Sequence, residues 1–170
     1  MPVRSDSPDP PEVLLTRLVD HVFALSGRFL AVGDEITRPE ELSAARWLVL
    51  GALQDGPSSP AEIARRRGLT RQSIRESVAR LERSGHLVRT AGDDKRTFLV
   101  ELTARGRAAL ARIEPRRRSW AEETAASVDA AELQAAVALL ARLRAATADE
   151  PTTDAATDGA VADATDAADG

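Results

Sequence analysis

Cysteine is absent from the 170-residue chain, which excludes disulfides, thiolate metal sites and a thiol-based redox sensor. Histidine is nearly absent too: His21 and His86 lie far apart and make a poor metal site, so no metal is expected. No apolar run approaches the roughly 20 residues that a membrane span needs, and the opening MPVRSDSPDPPE lacks the apolar stretch of a secretory signal. A cytoplasmic chain with no membrane partner is therefore expected. Glycine-rich phosphate loops, nucleophile elbows and metal-ligand clusters are missing as well. The sequence does not read as an enzyme, and no cofactor is expected. Lysine is reduced to Lys95, every other basic side chain being arginine.

What is present is divided along the chain. The net charge of −4 conceals a central excess: from Pro57 to Arg118 sixteen Lys and Arg stand against seven Asp and Glu. From Asp149 to Gly170 there are seven acids and no base. The middle can attract a polyanion and the end cannot. Residues 1–11 hold four prolines and little apolar content, and read as a disordered arm. Residues 148–170 are low-complexity Ala, Thr and Asp, too poor in bulky side chains to offset chain entropy. One domain over 12–147 is expected between them.

Within it, apolar residues recur at helical spacing. Leu15, Leu18, Val22, Leu25 and Phe29 predict a first helix that stops near Gly33. A second, capped by Ser43, carries Trp47, Leu50 and Leu53 and ends at Gly56-Pro57. Ser59-Pro60-Ala61-Glu62 has the spacing of a capping box with proline at the first helical position. Gly68 closes that short helix. Thr70 caps the next, whose inner face is Ile74, Val78 and Leu81 and whose terminator is Gly85. Two helices joined by a tight glycine-containing turn form a helix-turn-helix. The period then changes to two: Leu87-Val88-Arg89-Thr90 and the stretch from Phe98 to Leu102 read as strands around a hairpin loop, Ala91 to Arg96. A long helix follows from Thr103, with a kink or restart expected at Pro115. Asp129 and Glu132 mark the last helix as a second capping box, with Val128 and Leu133 as a hydrophobic staple.

The fold class is thus mainly α with a small β wing: a winged helix-turn-helix over 57–103, between N- and C-terminal dimerisation helices over 12–56 and 104–147. The first and last helices carry broad apolar faces that a chain this small has few places to bury. A homodimer is the economical expectation.

The order of elements and the run SPAEIARRRGLTRQSIRESVARLERSGHLVRTAGDDKRTFLVELTARGRAAL resemble the MarR family of bacterial regulators. The most specific part is Asp94-Lys95-Arg96 followed by Leu102-Thr103 and Gly106. The resemblance implies a regulator, here a repressor, that holds double-stranded DNA at a pseudo-palindromic operator. It also implies a small aromatic or anionic effector between the dimerisation helices and the reading lobe, for which His21, Arg46, Trp47 and Trp120 are the candidates. Trp47 at helical spacing with Leu50 fits a core position as well.

The residues agree. Burying Ile74, Val78 and Leu81 turns Arg71, Gln72, Ser73, Arg75 and Ser77 outward near the helix N-terminus, the end that meets base edges in a major groove. Arg75 and Gln72 have forked ends suited to guanine and adenine. Arg96 on the wing is expected in the minor groove, with Asp94 orienting the hairpin. Arg65, Arg66, Arg67, Arg80, Arg89 and Lys95 are candidates for phosphate. Glu76 departs from the family pattern: it repels phosphate unless it pairs with Arg80 or reads a cytosine. The Arg116-Arg117-Arg118 run is a second DNA contact, a charged helix face or an interhelical ion network. The rival reading of the whole is a winged-helix module docking an acidic protein without operator specificity. On the DNA reading, Arg96→Ala weakens operator binding in a titration while leaving the dimer folded; unchanged affinity removes the wing from the account.

Overall fold

Each α-helix of the computed structural model, which describes residues 9–91 and 98–147, begins where a side-chain oxygen or a proline meets the unpartnered amides of the first turn. Helix α1 (Pro11–Thr37) opens on Pro10-Pro11. In α2 (Ala44–Gly51) Ser43 accepts from the Arg46 amide, and Asp34 Oδ1 takes the Ala44 amide at 2.6 Å. In α3 (Pro60–Arg67) Ser59 accepts from the Glu62 amide at 3.2 Å. The Glu62 carboxylate goes to Arg65, 2.6 Å away, rather than back to the cap. Thr70 caps α4 (Arg71–Arg83) through the Ser73 amide at 3.1 Å. Strands β1 (Leu87–Ala91) and β2 (Phe98–Leu102) pair antiparallel, Leu87 opposite Leu102 and Ala91 opposite Phe98. Thr103 caps α5 (Ala104–Ala125) through the Gly106 amide at 3.1 Å. Asp129 caps α6 (Ala130–Ala146) by accepting from Ala131 and Glu132. The chain falls into two units, one through Glu123 and one from Thr124.

In the first unit the core joins Leu50 of α2, Ile63 of α3, Ile74, Val78 and Leu81 of α4, Val100 of β2 and Ile113 of α5. These side chains are at most 2% exposed. Burying such a side chain fully contributes about 1.5–3 kcal/mol, so this cluster sets how α4 is rolled. A contact outside the hairpin extends the sheet: Ser58 exchanges both backbone hydrogen bonds with Val100, at 3.1 and 2.9 Å. It pins the turn before α3 to the wing.

Two expectations are corrected. Helix α1 does not stop near Gly33 but continues to Thr37. Gly33 is a point of close approach, since a Cβ there would lie 2.8 Å from that of Ala44. The helix ends instead where Pro39 tightens the chain into a 3-10 turn, Arg38–Glu40, and Glu41 turns left-handed at φ 56°. Nor does the chain restart at Pro115, which lies inside α5. Pro115 and Ala111, whose carbonyl loses its helical partner, are both exposed, so water meets the gap.

The joint between α4, the wing and α5 is built from backbone. The Thr103 hydroxyl donates to the Gly85 carbonyl at 2.7 Å, and the Thr103 amide to the His86 carbonyl at 3.1 Å. Gly85, at φ +73°, makes the turn out of α4. Gly106 packs its bare Cα against the His86 carbonyl, with no room for a Cβ.

Helix α1 exposes a broad apolar face that includes Leu14, Leu25 and Phe29, and Phe23 is 74% exposed. Taken by itself, α6 also exposes apolar side chains, with Val137 at 67%. No single described helix is long and apolar enough to cross a membrane.

Because the obstacle at Gly106 is main chain, Gly106→Ala should destabilise the fold by about 1–3 kcal/mol, read as a lower urea midpoint. An unchanged midpoint would show that the joint yields.

Candidate nucleic-acid interface

The turn between α3 and α4 is made by Gly68, left-handed at φ +64°, and the Leu69 amide closes on the Ala64 carbonyl. From there the core stripe turns Arg71, Gln72, Arg75, Glu76 and Arg80 outward, all exposed, with Ser73 half-buried. Ser77 is corrected: it is 9% exposed and shares the inner stripe with Ile74, Val78 and Leu81. Three residues from Ile74 and four from Leu81, it falls on their side of the helix. Glu76 does not pair with Arg80; it accepts from Gln72 Nε2 at 2.8 Å.

The other arginines are sorted by their partners. Arg65 stays exposed beside Glu62. Arg66 turns back toward the end of α2, reaching the Ala52 carbonyl at 3.4 Å and Asp55 at 3.8 Å. Arg67 folds into a cleft of about 600 Å³ whose walls include Trp47, Glu101, Arg107, Glu114 and Arg117. Its Nη2 would lie 3.2 Å from a Cβ on Gly51, so that glycine makes room for the guanidinium. Burial, reinforced by Arg66, lowers the Arg67 pKa from its ordinary value. Arg89 is held at the root of the wing: Nε donates to Glu82 at 2.9 Å, and the guanidinium lies 4.5 Å over the Phe98 ring. Asp94, Lys95 and Arg96 lie outside the described residues.

Of the four ligand candidates, Trp47 lines the cleft and the other three are not among its walls. His21 is exposed on α1. Arg46 Nε donates to Ser43 at 3.1 Å. Trp120 meets Phe29 edge to face, centroids 5.8 Å apart. Sequence reading missed the cleft's Arg107 and Glu101, as well as Glu82 and Phe98. The one local signal available was the three-residue spacing of Glu114 and Arg117, which pair at 2.7 Å and, with Arg118, form an ion network within α5 and not between helices, while Arg116 donates to the Arg112 carbonyl. The Arg117 guanidinium holds the Glu114 carboxyl below its usual range.

The MarR family model matches residues 41–97, from the start of α2 into the hairpin. The transcriptional repressor NicR of Pseudomonas putida is 33% identical over 119 residues, covering 68% of this chain and 75% of the relative. This chain belongs to the MarR family. It is a winged-helix transcriptional regulator, of a family whose members are non-enzymatic DNA-binding proteins. An uncharacterised protein of Mycobacterium tuberculosis is 34% identical over 122 residues, covering 71% of this MarR-family chain and 85% of the relative. The crystal structure of the M. tuberculosis regulator MosR in complex with DNA is similar at a TM-score of 0.64 and 28% identity, covering 75% of this chain and 96% of that one.

His86 sits at the joint, 5% exposed, with Nδ1 2.8 Å from the Ser84 hydroxyl. Burial, then the Arg105 and Arg46 guanidiniums, lower its pKa from the ordinary 6.5; Glu40 opposes them and Arg112 adds to them. The fold therefore favours the neutral ring. As pH falls below 6.5 the unfolded chain takes up a proton before the folded one does, so stability should fall as well. The check is an NMR titration of the His86 ring beside urea unfolding between pH 7.5 and about 5.5. A ring midpoint at or above 6.5 would refute it.

Proposed function

We propose that this regulator is a repressor that binds a pseudo-palindromic operator in double-stranded DNA as a homodimer and is released by a small aromatic or anionic effector. The observation that carries the reading is the exposed outer face of α4, where Arg71 and Arg75 near the N-terminus and Arg80 in the last turn have no carboxylate partner among the described ion pairs. Arg71, Gln72, Ser73 and Arg75 meet the bases, Arg80 and Arg65 meet phosphate, and Asp94, Lys95 and Arg96 form the wing contact. The similarity to NicR favours repression, and the DNA-bound MosR structure favours duplex DNA as the partner.

Residues 57–103 read, and 12–56 with 104–147 assemble the dimer. The exposed apolar side chains of α1, and separately those of α6, are the surfaces that a second copy would cover. The cleft beside Trp47 suits an aromatic anion, its charge met by Arg67 and Arg107. Arg67 is the last residue of α3, so an anion that draws on it bears directly on the helix-turn-helix. A coupling of about 1–3 kcal/mol between the two sites is ample for release.

Sedimentation of the full chain should give twice its 18.2 kDa mass at micromolar concentration. Operator affinity should fall about a thousandfold between 50 and 200 mM salt if six or so phosphates are engaged. Random duplex should bind about a thousandfold more weakly. A monomer sinks the dimer. A flat salt response without sequence preference leaves protein docking as the better account.

A further inference from the structure

The buried stripe of α4 also determines which residues stand furthest from the core. Counting about 100° per residue, the direction opposite Ile74, Ser77, Val78 and Leu81 runs through Gln72, Glu76, Ala79 and Arg83. Arg71 and Arg75 lie on one flank of that line and Arg80 on the other. A helix seated in a major groove brings its midline nearest the base edges and its flanks nearer the phosphate walls, where a long arginine still reaches either. At the centre of the N-terminal half, therefore, stands a carboxylate between arginines.

Glu76 is exposed, and none of the ion pairs among the described residues includes it. Its one hydrogen bond among the described residues is local: Gln72 Nε2 donates to Oε1 from one turn away. An ionised carboxylate only accepts. On the midline it is kept away from both phosphate walls, and what it faces must donate. Two bases offer a donor in the major groove, cytosine through N4 and adenine through N6. The adenine amine sits beside the N7 acceptor, which repels a second carboxylate oxygen; cytosine has no such neighbour. With Oε1 taken by Gln72, Oε2 remains for the base.

The geometry points to Glu76 as a specificity-determining residue that reads cytosine in each operator half-site, with Gln72 as the positioning residue that holds its carboxylate. This rests on the operator-binding reading above.

The test is duplex selection with the full wild-type chain, followed by titrations against the selected operator and a copy in which the half-site cytosine is replaced by thymine, whose O4 only accepts. Wild type should lose about tenfold or more in affinity on that replacement. Glu76→Gln and Glu76→Ala should bring the ratio of the two affinities close to one, and Gln72→Ala should narrow it part of the way. A variant that merely folds less well loses affinity for both duplexes and leaves their ratio alone. An operator without a cytosine requirement, or a ratio that survives Glu76→Gln, overturns the assignment while leaving operator binding intact. Failure of the wild-type chain to select any duplex overturns the operator reading itself, and this one with it.

Discussion

Four backbone groups meet at the joint where α4 ends, the wing begins and ends, and α5 starts. Thr103 spends its hydroxyl on the Gly85 carbonyl and its amide on that of His86, while its hydroxyl oxygen receives the Gly106 amide. Gly106 has no side chain because the His86 carbonyl occupies the place where one would go. Since the groups that Thr103 ties together are main-chain atoms, the angle between α4 and the hairpin is not left to apolar side-chain packing alone. The Thr103…Gly106 spacing, which in sequence is a family mark, is in physical terms the footprint of this joint.

With α4 held there and rolled by its core stripe, the distribution of arginine becomes intelligible. A chain whose only lysine is Lys95 cannot divide labour between two kinds of cation, so it divides arginines by partner. Arg112 forms a bidentate pair with Glu40, joining α5 to the 3-10 turn after α1 at 2.7–2.9 Å, and that guanidinium holds the Glu40 carboxyl below its ordinary range. Arg89 braces the wing, Arg66 ties α3 to α2 and Arg67 lines the cleft. Arg71, Arg75 and Arg80 on the outer face of α4 are in none of the described ion pairs, which leaves them to meet something outside the molecule.

Much of this was legible because caps and terminators act locally. Ser43, Ser59, Thr70, Thr103 and Asp129 each lie within three residues of the amide they satisfy, and Gly68 and Gly85 announce left-handed turns by composition. The strands were legible because period two persists on both sides of the hairpin. What failed was of another kind. Ser77 is polar yet shares the buried stripe, and the sequence could not weigh a small hydroxyl against the pull of Ile74 and Leu81. Gly33 looked like a terminator because its purpose, contact with Ala44, involves a residue eleven positions away. At Pro115, where a kink or a restart was expected, it is the restart that is absent, since water meets the carbonyl that the proline frees. Of the site, the face of α4 could be drawn from periodicity, but the Gln72–Glu76 bond, the retreat of Arg66 and Arg67, and the cleft depend on tertiary neighbours that no local pattern encodes.

The passage of α1 unbroken through Gly33 has a mechanical meaning. From that contact to Pro11 the helix extends roughly 33 Å at 1.5 Å per residue, as one stiff rod pivoted near its inner end against α2. Tilting such a rod by about 3° at the pivot sweeps its far end through roughly 2 Å, by the same rise per residue. A displacement at Ala44 too small to disturb the core is thereby magnified at the end of α1 that carries Leu14 and Leu15, and whatever is seated there registers it.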